Sequence, residues 1–240
     1  AAARLRSQGV EVVAVAAHAR ERPGLAGARF QILDLDADPA QLRELERAPL
    51  SDPLLERCGA KLLAGNRIEI ELDNARGRSE LFGLIEGARE RLHLQVYIVR
   101  EDEFTAELAG RLEAAAARGV AVRLIVDALY TRHEVFGVRL PLLERLSAVE
   151  GVEVRAFRPL AALPGIDELK QRNHRKLVIA DGERVIVTGR NLAEHYYVSF
   201  AERQLDPTQS WDRVPWLDAG ALCEGPLAGL AERSFLAAWT

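Results

Sequence analysis

The chain has 240 residues, 48% of them hydrophobic and 28% charged, with 32 Lys and Arg against 36 Asp and Glu for a formal net charge of −4. That is enough apolar material for one sizeable core, or for one domain plus part of another. The slight acidic surplus argues against a general nucleic-acid binder, which carries a basic excess.

Residues 1 to about 60 differ in texture from the rest of the chain. Val10 to Ala17 and Phe30 to Leu33 read as strands and Pro39 to Ala48 as a helix. The acidic stretch Leu33-Asp34-Leu35-Asp36 hints at a nucleotide-binding fold, but no glycine-rich phosphate loop accompanies it. The predicted organisation is therefore an upstream segment of unknown role, 1–60, and one domain, 61–240. From there the pattern is regular. Ile68 to Leu72 alternates as a strand, and Ser79 to Arg91 is an amphipathic helix with Ser79 as its cap. His93 to Val99 is a strand, and Thr105 to Arg118 a helix closed by Gly119, the residue that best tolerates a left-handed C-terminal cap. Val120 to Asp127 is an apolar central strand, Leu140 to Ala148 a helix and Val152 to Phe157 a strand, followed by a loop over Pro159 to Gly165. Strands alternating with helices predict an α/β sandwich, its mixed and largely parallel sheet flanked by helices.

Cys58 and Cys223 are too few and too far apart for a disulfide framework or a metal site, and no cluster of hard ligands is visible, so no metal or cofactor is expected. No run of about 18 apolar residues marks a transmembrane helix, and no charged-apolar-cleavage pattern marks a signal peptide. The chain has no Met, even at position 1, and ends on the apolar helical run Ser234 to Thr240. It reads as a piece of a longer protein.

The chemistry concentrates in His174-Arg175-Lys176 through Gly189-Arg190-Asn191. Two β-rich runs flank Asp181-Gly182, a strong signal for a two-residue hairpin. That hairpin pairs Ala180 with Glu183 and His174 with Gly189. His174 and Lys176, two apart on a strand, leave the same face, and Asn191 lies one same-face step beyond Gly189, a glycine expected to leave room for a ligand. A nucleophile, a cation and a neutral amide donor around one opening suit a phosphodiester. The spacing His-x-Lys-x4-Asp followed by Gly-x-Asn, filled by His174, Lys176, Asp181, Gly189 and Asn191, resembles the HKD motif of the phospholipase D superfamily. Chance would produce those five positions on the order of once in ten thousand chains this size. The flanks extend the resemblance. Asn66 to Arg91, Tyr97-Ile98 with Asp102, and Ala114 to Asp127 are similar to that family's opening elements. Trp216-Leu217-Asp218 and Glu224-Gly225-Pro226, then Phe235 and Trp239, are similar to the segment closing the first half of bacterial cardiolipin synthases. Two positions depart from the family pattern: Thr188 stands where relatives usually have Gly, and Tyr130-Thr131 where they often have Gly-Ser.

The resemblance implies roles. His174 attacks phosphorus and forms a phosphohistidine, Lys176 and Asn191 hold the non-bridging oxygens, and Asp218 orients His174 through its other ring nitrogen. Asp181, in the hairpin turn, is structural. Arg158 and Arg172 are the basic residues best placed to meet a phosphate-bearing substrate. Arg118, Arg123, Arg132 and Arg139 read as solvated surface, Trp216 as packing, His18, His93 and His133 as structural, and His195 as a solvent-facing or helix-end residue; Asp206 and Asp212 compete with Asp218. The family site needs two HKD motifs and one is present, so a second half is expected from a missing C-terminal region or a homodimer. The implied activity is a phosphodiesterase or phosphatidyltransferase acting on phospholipids, with an alcohol or water as acceptor, at a membrane surface and in a cytoplasmic or peripheral-membrane location. The alternatives are a nuclease of the same superfamily, which the charge disfavours since no nucleic-acid partner is expected, and a catalytically silent half acting as a scaffold, which the intact motif disfavours.

Overall fold

The computed structural model describes residues 63, 65–128, 140–158, 172–203 and 214–239. The expectations for residues 1–60, for Tyr130 to His133, Arg139, the Pro159 to Gly165 loop, Asp206 and Asp212 lie outside them.

Seven strands form one sheet: β1 (Arg67–Glu71), β2 (Arg91–Val96), β3 (Ala121–Asp127), β4 (Val152–Phe157), β5 (Leu177–Ala180), β6 (Arg184–Thr188) and β7 (Gly220–Glu224), in the order β1-β7-β6-β5-β2-β3-β4. The α/β class and the mixed sheet are as predicted, and β2, β3 and β5 share the sheet. Its parallel part is smaller than the alternation suggested. Only the β2–β3 and β3–β4 pairings are parallel, because those strands are joined by helical crossovers. The other pairings are antiparallel.

Side chains alternate between the two faces of the sheet. Leu92, Leu94, Leu124, Val126, Val178 and Ile186 pack beneath three helices, α1 (Asn74–Glu86), α2 (Glu103–Ala117) and α3 (Pro141–Ser147). Ile125, Leu177, Ile179 and Val185 face the opposite way, onto Phe235 and Trp239 of α4 (Pro226–Trp239). Phe235 is fully buried, worth about 1.5–3 kcal/mol in area removed from water. Phe235→Ala would therefore loosen α4 from the sheet at about 3–5 kcal/mol.

The helix ends explain two boundary differences. α1 begins five residues before the predicted cap, because Asp73 Oδ1 accepts the Arg76 N–H at 2.9 Å while Ser79 sits within the helix and donates back to Ala75 O. α2 starts at a reciprocal box in which Asp102 accepts from Thr105 N–H and the Thr105 side chain accepts from Asp102 N–H. It closes on Gly119 at φ +90°, and Arg118 donates to the carbonyls of Ile85 and Glu86 in the last turn of α1. β7 and the start of α4 carried no sequence prediction.

The hairpin register differs from prediction by one residue. The turn itself forms: Asp181 (φ 57°) and Gly182 (φ 70°) are left-handed and Glu183 N–H donates to Ala180 O. Pairing, however, resumes with Ala180 opposite Arg184, because the Glu183 carbonyl is taken by Gly225 N–H. Lys176 then stands opposite Thr188, whose N–H it accepts at 3.2 Å. Continuing that register sets His174 level with Arg190, and the predicted pairing of His174 with Gly189 is corrected.

Candidate active site

The candidate site gathers at one end of the sheet, the carboxyl end of parallel strands β2 and β3, where ligands of α/β sheets tend to bind. β5 runs opposite to β2, so its incoming end, His174 to Lys176, arrives there. β6 delivers Thr188 to Asn191 to the same end, and β7 starts there just after Asp218.

His174 is exposed and Lys176 buried. Lys176 Nζ lies 2.9 Å from His174 Nδ1, 3.5 Å from Nε2, and donates to His174 O at 2.9 Å. The Tyr97 ring, just past β2, packs 4.3 Å from the imidazole at 53° and 5.3 Å from the ammonium. Although the residue is exposed, partial desolvation of the ring lowers the His174 pKa, the Lys176 charge lowers it further, and Asp127 acts in the opposite direction. A charged Lys176 donating to Nδ1 requires a ring nitrogen without a proton there, so the imidazole in this arrangement is neutral. Burial also lowers the Lys176 pKa, opposed by the Asp218 carboxylate.

Asp218 fills the space that the sequence left to a ligand. A Cβ at Gly189 would come within 2.1 Å of Asp218 Oδ1, so the glycine there admits a carboxylate, and the expectation of a ligand cavity at Gly189 is corrected. Asp218 Oδ1 accepts the Ala219 N–H at 2.7 Å. The charge of this carboxylate acts on Lys176; the carboxylate whose charge acts on His174 is Asp127. Asn191 is buried, with Oδ1 accepting Ile98 N–H at 3.1 Å and Nδ2 donating to Tyr196 Oη at 3.0 Å. One amide N–H remains for another acceptor. Burial raises the Tyr196 pKa, so its hydroxyl stays protonated.

The remaining assignments divide in the same way. Asp181 accepts the N–H groups of Arg89, Glu90 and Arg91 at 2.9–3.3 Å. Although burial opposes it, those donors hold its pKa below the usual carboxylate value. Arg172 is turned inward, its side chain 6% exposed, 3.5 Å from a wholly buried Asp127 and donating to Arg158 O at 3.0 Å. Arg158 is exposed, at φ 46°, with its guanidinium 5.8 Å from the Phe157 ring centroid. His195 lies in the one-turn 3-10 helix Glu194–Tyr196, the helix-end alternative, and is buried between Tyr196 and Trp216, so the solvent-facing alternative is set aside. His93 is buried and stacked on Phe235 at 4.6 Å, and burial pushes its pKa down to about 4. Arg123 is engaged with Glu153. Among the described residues, no group of three or more His, Cys, Asp or Glu could hold a metal ion, and no helix is long and apolar enough to cross a membrane.

Sequence reasoning passed over Asn74 and Arg190 as parts of the site's frame. Asn74 Nδ2 donates to Val198 O and Trp216 O at 3.0 and 2.8 Å. Buried Arg190 reaches Asp218 O at 2.7 Å and Asn74 Oδ1 at 3.4 Å. This clasp fixes the backbone that carries Asp218. Its guanidinium passes close to Gly77 and Gly220, where a Cβ would meet Nη1 at 3.1 and 2.9 Å. Glycines at those two positions, read together with an Arg in the motif, were the available signal.

Comparison with known proteins identifies relatives by sequence and by fold. Residues 81–204 match the family described as "Cardiolipin synthase, PLD-like domain". The cardiolipin synthase of Listeria monocytogenes serotype 4a (strain HCC23) is 32% identical over 180 residues, 70% of this chain and 36% of that protein. Cardiolipin synthase A of Pseudomonas syringae pv. syringae (strain B728a) is 26% identical over 177 residues, 74% of this chain and 34% of that protein. The chain therefore spans about a third of the length of the curated relatives it matches. Among solved structures, NucT from Helicobacter pylori superposes with a TM-score of 0.54 at 15% identity, covering 73% of this chain and 96% of that one, a likeness of fold.

Proposed function

Because the chain belongs to the cardiolipin synthase, phospholipase D-like domain family, we propose that it is one half of a phosphodiester-transferring site acting on phospholipids. The observation that carries this reading is the exposed His174 imidazole with the Lys176 ammonium 2.9 Å from its Nδ1, a nucleophile and a cation on one open face. An incoming phosphodiester offers Lys176 a better acceptor than the imidazole, and the ammonium's transfer to a non-bridging oxygen frees the ring. The His174 lone pair then forms the N–P bond as the bond to the leaving alkoxide breaks. Lys176 and the remaining amide N–H of Asn191 stabilise the charge of the five-coordinate phosphorus, electrostatic help of the kind that typically dominates such steps. The Asp218 charge favours the protonated form of Lys176 against its burial.

Protonation of the leaving alkoxide requires a second acid. The proposed source is a second HKD half, supplied by a further region of a longer chain or by a second copy; without it the chain alone loses about 10²–10⁴-fold in rate. Water resolving the phosphohistidine gives hydrolysis, and a lipid alcohol gives transfer. Arg158 is the proposed contact to the phosphate-bearing substrate, whereas Arg172 is spent on Asp127. The test is denaturing quench of the assembled enzyme with headgroup- and acyl-labelled phosphatidylglycerol. Acyl label on His174, lost in His174→Ala, is the expected result. An adduct confined to the second half's histidine and persisting in His174→Ala would reverse the roles of the two halves, and no adduct on either would overturn the covalent mechanism.

A further inference from the structure

We propose that Asp127 is a positioning residue for His174, holding the segment that presents the imidazole and supplying the negative charge that balances the ring as it turns cationic. Three observations meet here. Asp127 is the last residue of β3, at the site end of the sheet, and its side chain is wholly buried. Its Oδ2 accepts the N–H of Asn173 at 3.3 Å, which fixes the residue directly before His174. Arg172 stands 3.5 Å from Oδ1 and is itself turned inward to the Arg158 carbonyl, so the carboxylate is anchored from a second side.

The chemistry asks for such a charge. When a neutral imidazole attacks phosphorus, one ring nitrogen contributes its lone pair to the N–P bond while the other keeps its proton. The ring therefore gains a positive charge as the alkoxide leaves with a proton from the second half. A buried carboxylate nearby stabilises that cation more than the uncharged starting ring, which is differential stabilisation of the transition state. Lys176 from its own strand and Tyr97 from the end of β2 contact the imidazole, and Asp127 from the end of β3 acts on it through its charge, as Asp218 acts on Lys176. Arg175 turns away, to Ser234 Oγ. Asp127 is thus the acidic group directly placed to offset Lys176. Asp218 serves the cation of the pair and Asp127 the nucleophile.

The inference rests on the proposed role of His174, and its test separates the two. The His174 ring is titrated by NMR in the full chain labelled with 15N-histidine, its signals assigned by their loss in His174→Gln. Asp127→Asn is expected to shift the His174 midpoint downward, and Asp127→Glu to restore part of the shift. Arg172→Gln, which removes the cation 3.5 Å from the carboxylate, is expected to shift it upward and serves if Asp127→Asn fails to fold. In the assembled enzyme, Asp127→Asn should lose at least roughly 10–100-fold in turnover, the scale seen when the carboxylate behind a metal-bound histidine is removed. An unmoved or raised midpoint in folded Asp127→Asn, or an unmoved or lowered one in Arg172→Gln, overturns the proposal. Absence of phosphodiester turnover in the unmodified assembled enzyme would instead overturn the reaction, leaving the titration shifts standing.

Discussion

Replacing Gly189 with alanine tests the packing of the site without touching any reactive group. The three heavy atoms nearest an added Cβ all belong to the Asp218 carboxyl group, at 2.1, 2.7 and 2.7 Å. Contacts under 3.0 Å are not tolerated, so the carboxylate must rotate away. In doing so it gives up the 2.7 Å bond from Ala219 N–H and its position beside Lys176. Losing a hydrogen bond to a charged acceptor costs about 1.5–3 kcal/mol. Gly189 does not have positive φ, so alanine adds no backbone strain and, once Asp218 is gone, should stabilise by about 0.4–1 kcal/mol through the unfolded chain. The same substitution is therefore expected to destabilise in the native background and to stabilise in an Asp218→Ala background. The unfolded-chain gain is common to both backgrounds and cancels, so the coupling is at most about 1.5–3 kcal/mol, read by urea unfolding of the four proteins in a double-mutant cycle. Additive effects, or a Gly189→Ala protein as stable as the parent, would refute the claim that the carboxylate occupies the glycine's space.

Four further outcomes are expected of the site and its frame. In the assembled enzyme, His174→Ala should abolish turnover and Lys176→Ala should cost about 2.7–4 kcal/mol in activation free energy, measured as release of labelled headgroup; wild-type rates from either would contradict their roles. Asp218→Asn removes the charge that supports a protonated Lys176, so the alkaline fall in the rate profile, where Lys176 loses its proton, should move to lower pH with the fold intact by circular dichroism. Asp181→Gly should destabilise by about 1–3 kcal/mol through the lost backbone bonds and Asp181→Ala by about 1 kcal/mol more, since alanine resists the left-handed turn. Because the folded Asp181 pKa is depressed, its contribution is present above the ordinary carboxylate value and fades as pH falls through the folded one, so both variants should show a flatter acid limb in thermal melts. His93 behaves oppositely in chemistry but alike in slope: with its folded pKa down at about 4, the unfolded chain takes up a proton first as pH falls below about 6.5. That should cost on the order of 2–3 kcal/mol by pH 4, and His93→Leu should remove this component of the pH dependence.

What could be read ahead in the sequence were features with local causes. The apolar run of β3, the alternation in β1 and the Asp-Gly turn each arise from neighbours a few residues away. The hairpin register was lost because the Glu183 carbonyl answers to Gly225, about forty residues downstream. β7 escaped because five residues, Gly220 to Glu224, carry little pattern; they form a strand because β6 and β1 offer ladder positions on either side. Gly189 was read as leaving room for a ligand, but the space is taken by Asp218, a side chain whose position no spacing within the hairpin could reveal. Asp127 was visible as a charged residue ending a buried strand, and its relation to His174 emerges only where β3 and β5 reach the same end of the sheet.

The pairing of β1 with β7 also bears on the order in which the protein comes together. Arg67 and Glu224 are partners across about 150 residues of chain, the kind of distant contact that slows folding. On a ribosome adding about 5–20 residues per second, β1 waits on the order of ten seconds or more for its partner. During that time Ile68, Ile70 and Leu72, which stay substantially exposed even in the finished sheet, have no ladder to join. β2, β3 and β4, with their helices, can assemble long before. Asp218 sits just ahead of β7, so the event that captures the waiting edge strand also seats the carboxylate against Gly189.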